Sequence, residues 1–197
     1  MPRRYQMTHR ADAKERTRTA ILEAAFDGFR DRWFDEVTIA DVARGAGVSQ
    51  QTVLNHFGNK MGLYLAGVAE IVAPRIRAAR SSARPGDVAS VVDAVLADYE
   101  ETGDGTVRTE ALALRDPELA DVVAGGRRSH RRWVEEMFEP QLTDRRGAER
   151  DRVVTLLALA LTASTWHQLR RQEGLSRRQV RAHLLALVAS VLASVEP

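Results

Sequence analysis

The sequence contains no cysteine. That single absence excludes disulfides, thiol catalysis, iron–sulfur clusters and cysteine-ligated zinc, and it fits a reducing compartment. Long apolar runs are also missing. A membrane span needs about 18 uncharged apolar residues, and the longest stretch, Val153 to Ala163, is shorter. The basic opening MPRRYQMTHR has no apolar segment behind it and does not read as a secretory signal. The expected location is the cytoplasm, with no membrane partner. Lysine is scarce, with Lys14 and Lys60 against 27 arginines, a bias of GC-rich bacterial coding that says little about function. Charge of one sign is not in surplus either. Lys and Arg number 29, Asp and Glu 27, for a net charge of +2, so any nucleic-acid argument must rest on where the charge sits.

What is present is helical periodicity, almost without strand-like alternation. The pattern predicts an all-α chain of about nine helices. The first spans about Ala11 to Arg32, with Ile21, Leu22, Ala25, Phe26 and Phe29 on one stripe. Two short ones follow, Thr38 to Gly45 and Ser49 to Phe57. A long fourth runs from Asn59 to about Arg80, with a kink expected at Pro74. After the break SSARPG, a fifth covers about Asp87 to Thr102, and Gly103-Asp104-Gly105 reads as a turn before a short sixth, Thr106 to Leu114. Asp116 followed by Pro117 marks the start of a seventh, which Pro140 is expected to stop near Phe138. The eighth spans about Glu149 to Glu173, ended by Gly174, and Ser176 caps a ninth that runs to about Ser194.

The segment Thr38-Ile-Ala-Asp-Val-Ala-Arg-Gly-Ala-Gly-Val-Ser49 is a short helix, a glycine turn and a fresh N-cap, with another short helix directly behind. That is the helix-turn-helix pattern. Ile39, Val42 and Ala43 pack beneath the turn, Gly47 supplies a positive φ, and Val48 plugs the junction. Val53, Leu54 and Phe57 are expected to form the buried side of the second helix. Its other face carries Gln50, Gln51, Thr52, Asn55 and His56. Gln and Asn can bond adenine in bidentate fashion, and Thr offers a hydroxyl and a methyl to thymine. The alternative is a polar face that only meets water. Residues 1–18 add Arg3, Arg4, Arg10, Lys14, Arg16 and Arg18 against Asp12 and Glu15, a basic arm that suits phosphates or a minor groove but equally suits a solvated tail.

From about Lys14 to Leu65 these residues resemble the DNA-binding domain of the TetR/AcrR family of bacterial transcriptional regulators. The matching run is Ile21-Leu-Glu-Ala-Ala25, Phe29, Phe34, Thr38-Ile-Ala-Asp-Val-Ala43, Ala46-Gly-Val-Ser49, Thr52-Val53, His56-Phe57, Asn59-Lys60 and Leu63. The resemblance implies that Thr38 caps the second helix and touches phosphate. Ser49 caps the third. Gln50, Gln51, Thr52 and Asn55 would face the major groove, with His56 near the backbone or a base edge and Lys60 on a phosphate. Three positions depart from the family. Leu54 stands where an aromatic is usual, Trp33 where glycine usually follows the first helix, and Gly62 where an acidic residue usually completes a capping box. The expected layout is a basic arm over 1–10, the helix-turn-helix domain over 11–60, and a helical ligand-binding and dimerisation bundle over 61–197.

In that bundle the ninth helix carries Val180, Leu184, Leu187, Val188, Val191, Leu192 and Val195 on one face, and the eighth is apolar nearly all round from Val153 to Ala163. Such helices need partners on two sides. A homodimer through helices eight and nine supplies the second side, and the resemblance implies the same interface. The alternative is one large monomeric core. Candidate ligand-lining residues are Tyr99, Trp133, Met137, Phe138, Thr162 and Trp166, each of which also reads as ordinary core. His130 and His167 read as packed or solvated, and the run Arg127, Arg128, Arg131, Arg132 as a solvated face or an anion site. The leading expectation is a homodimeric repressor on a palindromic DNA operator, released by a small apolar or aromatic effector, with no cofactor and no metal. Alternatives are an effector-independent or architectural DNA-binding protein and, further off, an all-α enzyme. Against the enzyme stand the absence of HExxH, GxSxG, P-loop and GxGxxG signatures and the lack of any defensible pair of acidic residues.

Overall fold

The computed structural model describes the backbone from Pro2 to Ser194 and side chains from Asp12 to Ser194. The arginine side chains of the arm expected over 1–10, and Val195, lie outside that description. Among the described residues the fold is all-helical. Helix α1 spans Pro2–Asp31, and a single 3-10 turn, Phe34–Glu36, leads to α2 (Ile39–Gly45) and α3 (Gln50–Phe57). Helix α4 (Lys60–Gly67) continues through a π turn (Val68–Val72) into Ala73–Arg80. Then come α5 (Val88–Ala113), α6 (Pro117–Leu142), α7 (Gly147–Ala160), α8 (Ala163–His167, extended by a π turn, Gln168–Gln172) and α9 (Arg177–Ala193). No helix is long and apolar enough to cross a membrane among the described residues.

The chain divides into two compact units at Arg75/Ile76, later than the boundary expected at 60/61. The reason is packing. Leu63 is fully buried in the same core as Ile21, Leu22, Ala25, Val37, Val42, Ala43 and Val53, and Ala66 and Ile71 lean on it. The first half of α4 is therefore the fourth wall of the N-terminal unit.

Helix-end signals read from sequence are in place. Asp116 accepts from the amides of Glu118 and Leu119 at 3.0 and 3.1 Å, Ser176 forms a capping box with Gln179, and Gly174 has φ 66°. Four expectations are corrected. The turn at 103–105 does not exist, because α5 runs straight through it. A Cβ on Gly103 would lie 2.5 Å from the Trp166 ring, so this glycine makes room for an indole rather than a turn. Pro140 does not stop α6, which reaches Leu142. The loop at Gly86 braces that end: its amide donates to the Met137 carbonyl at 2.8 Å, and Gln141 donates back to the Gly86 carbonyl at 2.7 Å. The predicted eighth helix is broken at Leu161–Thr162, where the Thr162 hydroxyl accepts from the Thr165 amide and caps α8. The irregularity near Pro74 is the π turn just ahead of it, closed by the Ala73 amide on the Val68 carbonyl. Proline lacks the amide to continue the α pattern, and a wider turn accommodates the loss.

The second unit packs α5 through α9 around Val91, Val92, Val95, Leu96, Tyr99, Val134, Phe138, Leu142, Val153, Leu157 and Trp166, with Val180, Leu184 and Val188 of α9 closing it.

Candidate nucleic-acid interface

The N-terminal unit is assembled around three short-range caps. At the start of α2 the Thr38 hydroxyl accepts from the Asp41 amide at 3.1 Å, while the Asp41 carboxylate accepts from both the Thr38 amide (3.1 Å) and hydroxyl (2.8 Å). These donors, with Arg44 at 3.1 Å and Arg32 at 3.5 Å, hold the Asp41 carboxyl down at about 2. A phosphate arriving at Thr38 therefore meets a hydroxyl already engaged and an ionised neighbour.

The turn out of α2 is a Schellman motif. The Val48 amide reaches the Ala43 carbonyl at 2.9 Å, the Gly47 amide reaches Arg44, and Gly47 takes φ 67°. This fixes where α3 begins. Ser49 then caps α3 through the Thr52 amide at 3.1 Å and also bonds the Thr52 hydroxyl at 2.9 Å. Gly58, at φ 76°, ends α3, and Asn59 caps α4 by accepting from the Gly62 amide at 2.8 Å. A Cβ on Gly62 would sit 2.3 Å from the Phe57 carbonyl, which gives this departure from the family a local cause.

On α3, Val53 is fully buried and Phe57 half-buried, whereas Leu54 is 37% exposed. The expectation that Leu54 belongs to the buried side is corrected. Residues 53 and 57 share a face at i, i+4, and residue 54 is turned about 100° from it. Gln50, Gln51 and Asn55 are exposed, and the Gln51 amide donates to the Asn55 side-chain oxygen at 2.9 Å. Thr52 and His56 are half-buried. The predicted contact residues from Ser49 to His56 thus sit together on and around one short helix.

Beside it, an open groove of about 390 Å³ is lined by Lys14, Glu15, Arg18, Asn55 and His56. Helix α1 thereby brings two cations next to the far end of α3. Arg18 is held by Glu70 and lies 4.6 Å above the Phe57 ring. Lys60 rests its ammonium 4.2 Å from the Phe34 ring, which with Phe29 and Tyr64 forms an aromatic cluster at 4.8–5.8 Å separations. Trp33, 52% exposed, takes φ −67° and donates its amide to Glu36, so the end of α1 is completed without a positive φ.

The candidate ligand residues lie in the second unit. Tyr99, Phe138 and Trp166 are buried in its core, Trp133 and Met137 are half-buried against it, and Thr162 is the α8 cap described above. Sequence reasoning missed what surrounds Tyr99. Arg80 pairs with buried Asp98 at 2.9 Å, Asp98 accepts from the Thr102 hydroxyl at 2.7 Å, and Arg80 also meets His130 Nδ1 at 3.2 Å and the Tyr99 hydroxyl at 3.4 Å. Burial raises the Asp98 carboxyl, with Arg80 and Thr102 opposing. Burial and then Arg80 push His130 down to about 4. The ring is therefore neutral near pH 7, donating from Nε2 to the Ala158 carbonyl at 3.0 Å and accepting at Nδ1. The available signal was Asp98 and Thr102, four apart in the stripe Val91, Val95, Asp98, Thr102 of an otherwise apolar face.

The first unit is a helix-turn-helix on a four-helix frame, and the second is a helical bundle. Residues 21–66 match the family of bacterial regulatory proteins known as the tetR family. The HTH-type transcriptional regulator AlkX of Mycobacterium tuberculosis is 40% identical over 53 residues, a match that spans 25% of this chain and 25% of that protein. Solved structures similar in fold include a TetR-like transcriptional regulator from Rhodococcus sp. RHA1, at 19% identity and TM-score 0.66, covering 91% of this chain and 97% of that one. Another is a regulator from Saccharomonospora viridis in complex with choline, at 17% identity and TM-score 0.66, covering 91% and 96%. Residues 21–66 are thus similar to the DNA-binding segment of tetR-family regulators, and the rest of the chain shares their fold.

Proposed function

We propose that the protein is a homodimeric, ligand-responsive repressor that binds an inverted-repeat operator. The observation that carries the reading is the polar face of α3. Gln50, Gln51 and Asn55 project from a helix whose start is fixed by the Schellman turn at Gly47 and the Ser49 cap. Presenting amide side chains on a rigid, capped helix is what base reading in a major groove requires. Thr52 and His56 flank them, Lys14 and Arg18 add positive charge beside the same helix, and Thr38 and Lys60 are the further candidates for phosphate contact.

Dimerisation is supported by α7 and α9. Each has a buried face and, off that face, exposed leucines: Leu156 and Leu159, the latter 61% exposed, on α7, and Leu187 on α9. Water-exposed leucines on two adjoining helices favour a second copy over an isolated monomer. Two α3 helices of such a dimer would read half-sites about 34–36 Å apart. The effector is a small molecule taken up by the second unit near Tyr99, Trp133 and Met137, as the choline in one structural relative illustrates for that relative. To invert occupancy from 1:99 to 99:1, it must bind the released state about 5.5 kcal/mol better.

The test is selection from random duplex DNA by the purified, ligand-free protein at moderate salt. An enriched inverted repeat supports the reading and supplies the operator. Folded protein that enriches nothing, with and without added ligands, sinks it.

A further inference from the structure

The surroundings of Arg80 resemble a binding site with its ligand in place. Its guanidinium carbon lies 4.8 Å from the Trp133 ring centroid and 5.9 Å from that of Tyr99. The Asp98 carboxylate closes the third side at 2.9 Å, and Asp98 is 1% exposed. The other groups that Arg80 meets are uncharged, the Tyr99 hydroxyl and His130 Nδ1; the Thr102 hydroxyl lies behind Asp98, and Glu101 and Glu110 add negative charge around Asp98 and Tyr99. Aromatic faces converging on a point beside a buried carboxylate form the constellation that recognises organic cations.

Most of this cage does not belong to the element that fills it. Asp98, Tyr99 and Thr102 are on α5 and His130 and Trp133 on α6, while Arg80 is the last residue of α4. Its backbone is at a helix end, followed by the loop Ser81–Gly86, where a side chain can withdraw with little rearrangement. Arg80 itself retains 12% side-chain exposure and Trp133 is half-buried, so the cage reaches solvent on that side. Asp98, Tyr99 and the Thr102 hydroxyl, by contrast, are anchored: Tyr99 donates to the Leu161 carbonyl at 3.0 Å, and Thr102 also donates to the Asp98 carbonyl at 3.0 Å.

We propose that the Asp98–Tyr99–Trp133 cage is the effector site and that its ligands are organic cations, guanidinium or alkylammonium, which compete with Arg80 for it. This rests on the ligand-responsive reading above and makes its small molecule a cation, where the sequence led to an apolar or aromatic one. Arg80 acts as a built-in competitor. A cation that takes the cage releases the C-terminal end of α4, the helix whose first turn directly follows α3. A neutral isostere gains the aromatic contacts but leaves Asp98 with a weaker partner than Arg80, so it does not displace the arginine.

The experiment is chemical rescue. Arg80→Ala is titrated with ethylguanidinium and with ethylurea, its neutral counterpart, following tryptophan fluorescence and the thermal midpoint. Ethylguanidinium should bind the variant about tenfold more tightly than it binds wild type, and ethylurea should be indifferent to the substitution. The further change Asp98→Asn should remove the guanidinium preference. If Arg80→Ala does not fold, the wild-type protein is titrated with benzyltrimethylammonium, its uncharged tert-butyl analogue and benzoate. Stabilisation by the ammonium alone supports the cage. Stabilisation by benzoate, equal response to the neutral analogue, or no response overturns it. Operator binding is measured in parallel without additives. Intact operator binding, with release by some neutral compound and no cation effect, leaves the repressor reading standing and removes only this inference. Loss of operator binding itself counts against the repressor reading.

Discussion

The two units of this chain are held in shape by polar groups that work over different distances. In the N-terminal unit the bonds that fix the helix starts are three residues apart: Thr38 with Asp41, Ser49 with Thr52, Asn59 with Gly62, and its long-range pairs, Arg18 with Glu70 and Arg75 with Glu23, lie half-exposed at the surface. The C-terminal unit has caps of the same kind at Asp116, Thr162 and Ser176, but its buried core is tied by long-range bonds: Arg80 to Asp98 and His130, Tyr99 to the Leu161 carbonyl, the Trp166 indole N–H to Glu100. Local caps set helix ends and turn angles, so the first unit presents a defined surface from short helices that would be marginal alone. Long-range bonds set how helices lie against one another, so the packing of the second unit is decided by residues far apart in the chain.

That contrast is broken most directly in the second unit. Trp166 is fully buried, fills the notch left by Gly103, and donates to Glu100 at 3.2 Å. Trp166→Ala should cost about 3–5 kcal/mol, read from urea unfolding by circular dichroism. A loss below about 1 kcal/mol would mean that the indole is not structural and that the contrast is overstated.

The first unit is tested by its function. Gln51→Ala and Asn55→Ala should each reduce discrimination between the selected operator and single-base variants by about 1–3 kcal/mol, with folding unchanged. The two side chains are bonded to each other in the absence of DNA, so the double variant should lose less than the sum of the singles. Wild-type discrimination in both would show that α3 is a solvated face.

The same difference in range explains what could be read in advance. Caps, the Gly47 turn and the buried stripe Ile21, Leu22, Ala25 are written within a few residues of themselves, so the helix-turn-helix and the cluster from Ser49 to His56 were legible. Leu54 was not, because an apolar residue next to Val53 carries no mark of which side it faces. Gly103 read as a turn because the indole that needs its missing Cβ lies 63 positions away in sequence. His130 read as bland for the same reason: its partners Arg80 and Ala158 are 50 and 28 residues distant.

A smaller effect comes from one of the caps. Thr38→Ala should cost about 1 kcal/mol and change the acid limb of stability. Asp41 titrates at about 2 in the folded protein against an ordinary 3.8, with the Thr38 hydroxyl the largest cause. Its contribution is therefore present in full above the ordinary value and is lost as pH falls from about 4 towards 2. The variant should lie below wild type at pH 7 and converge with it near pH 2 in urea unfolding at both values. A constant gap would assign the loss to packing instead.

The finest test concerns Lys60, whose ammonium is on the Phe34 ring without DNA. If it leaves the ring to meet a phosphate, Lys60→Ala weakens every operator variant alike and lowers the salt slope of binding by about one unit. If it stays, the substitution removes a cation–π contact of about 0.5–1 kcal/mol from stability and leaves the slope unchanged. The first outcome makes Lys60 a phosphate contact of the proposed repressor. The second would make Lys60 one more short-range brace of the N-terminal unit, leaving Lys14 and Arg18, in the groove beside Asn55, as the cations that meet the DNA backbone.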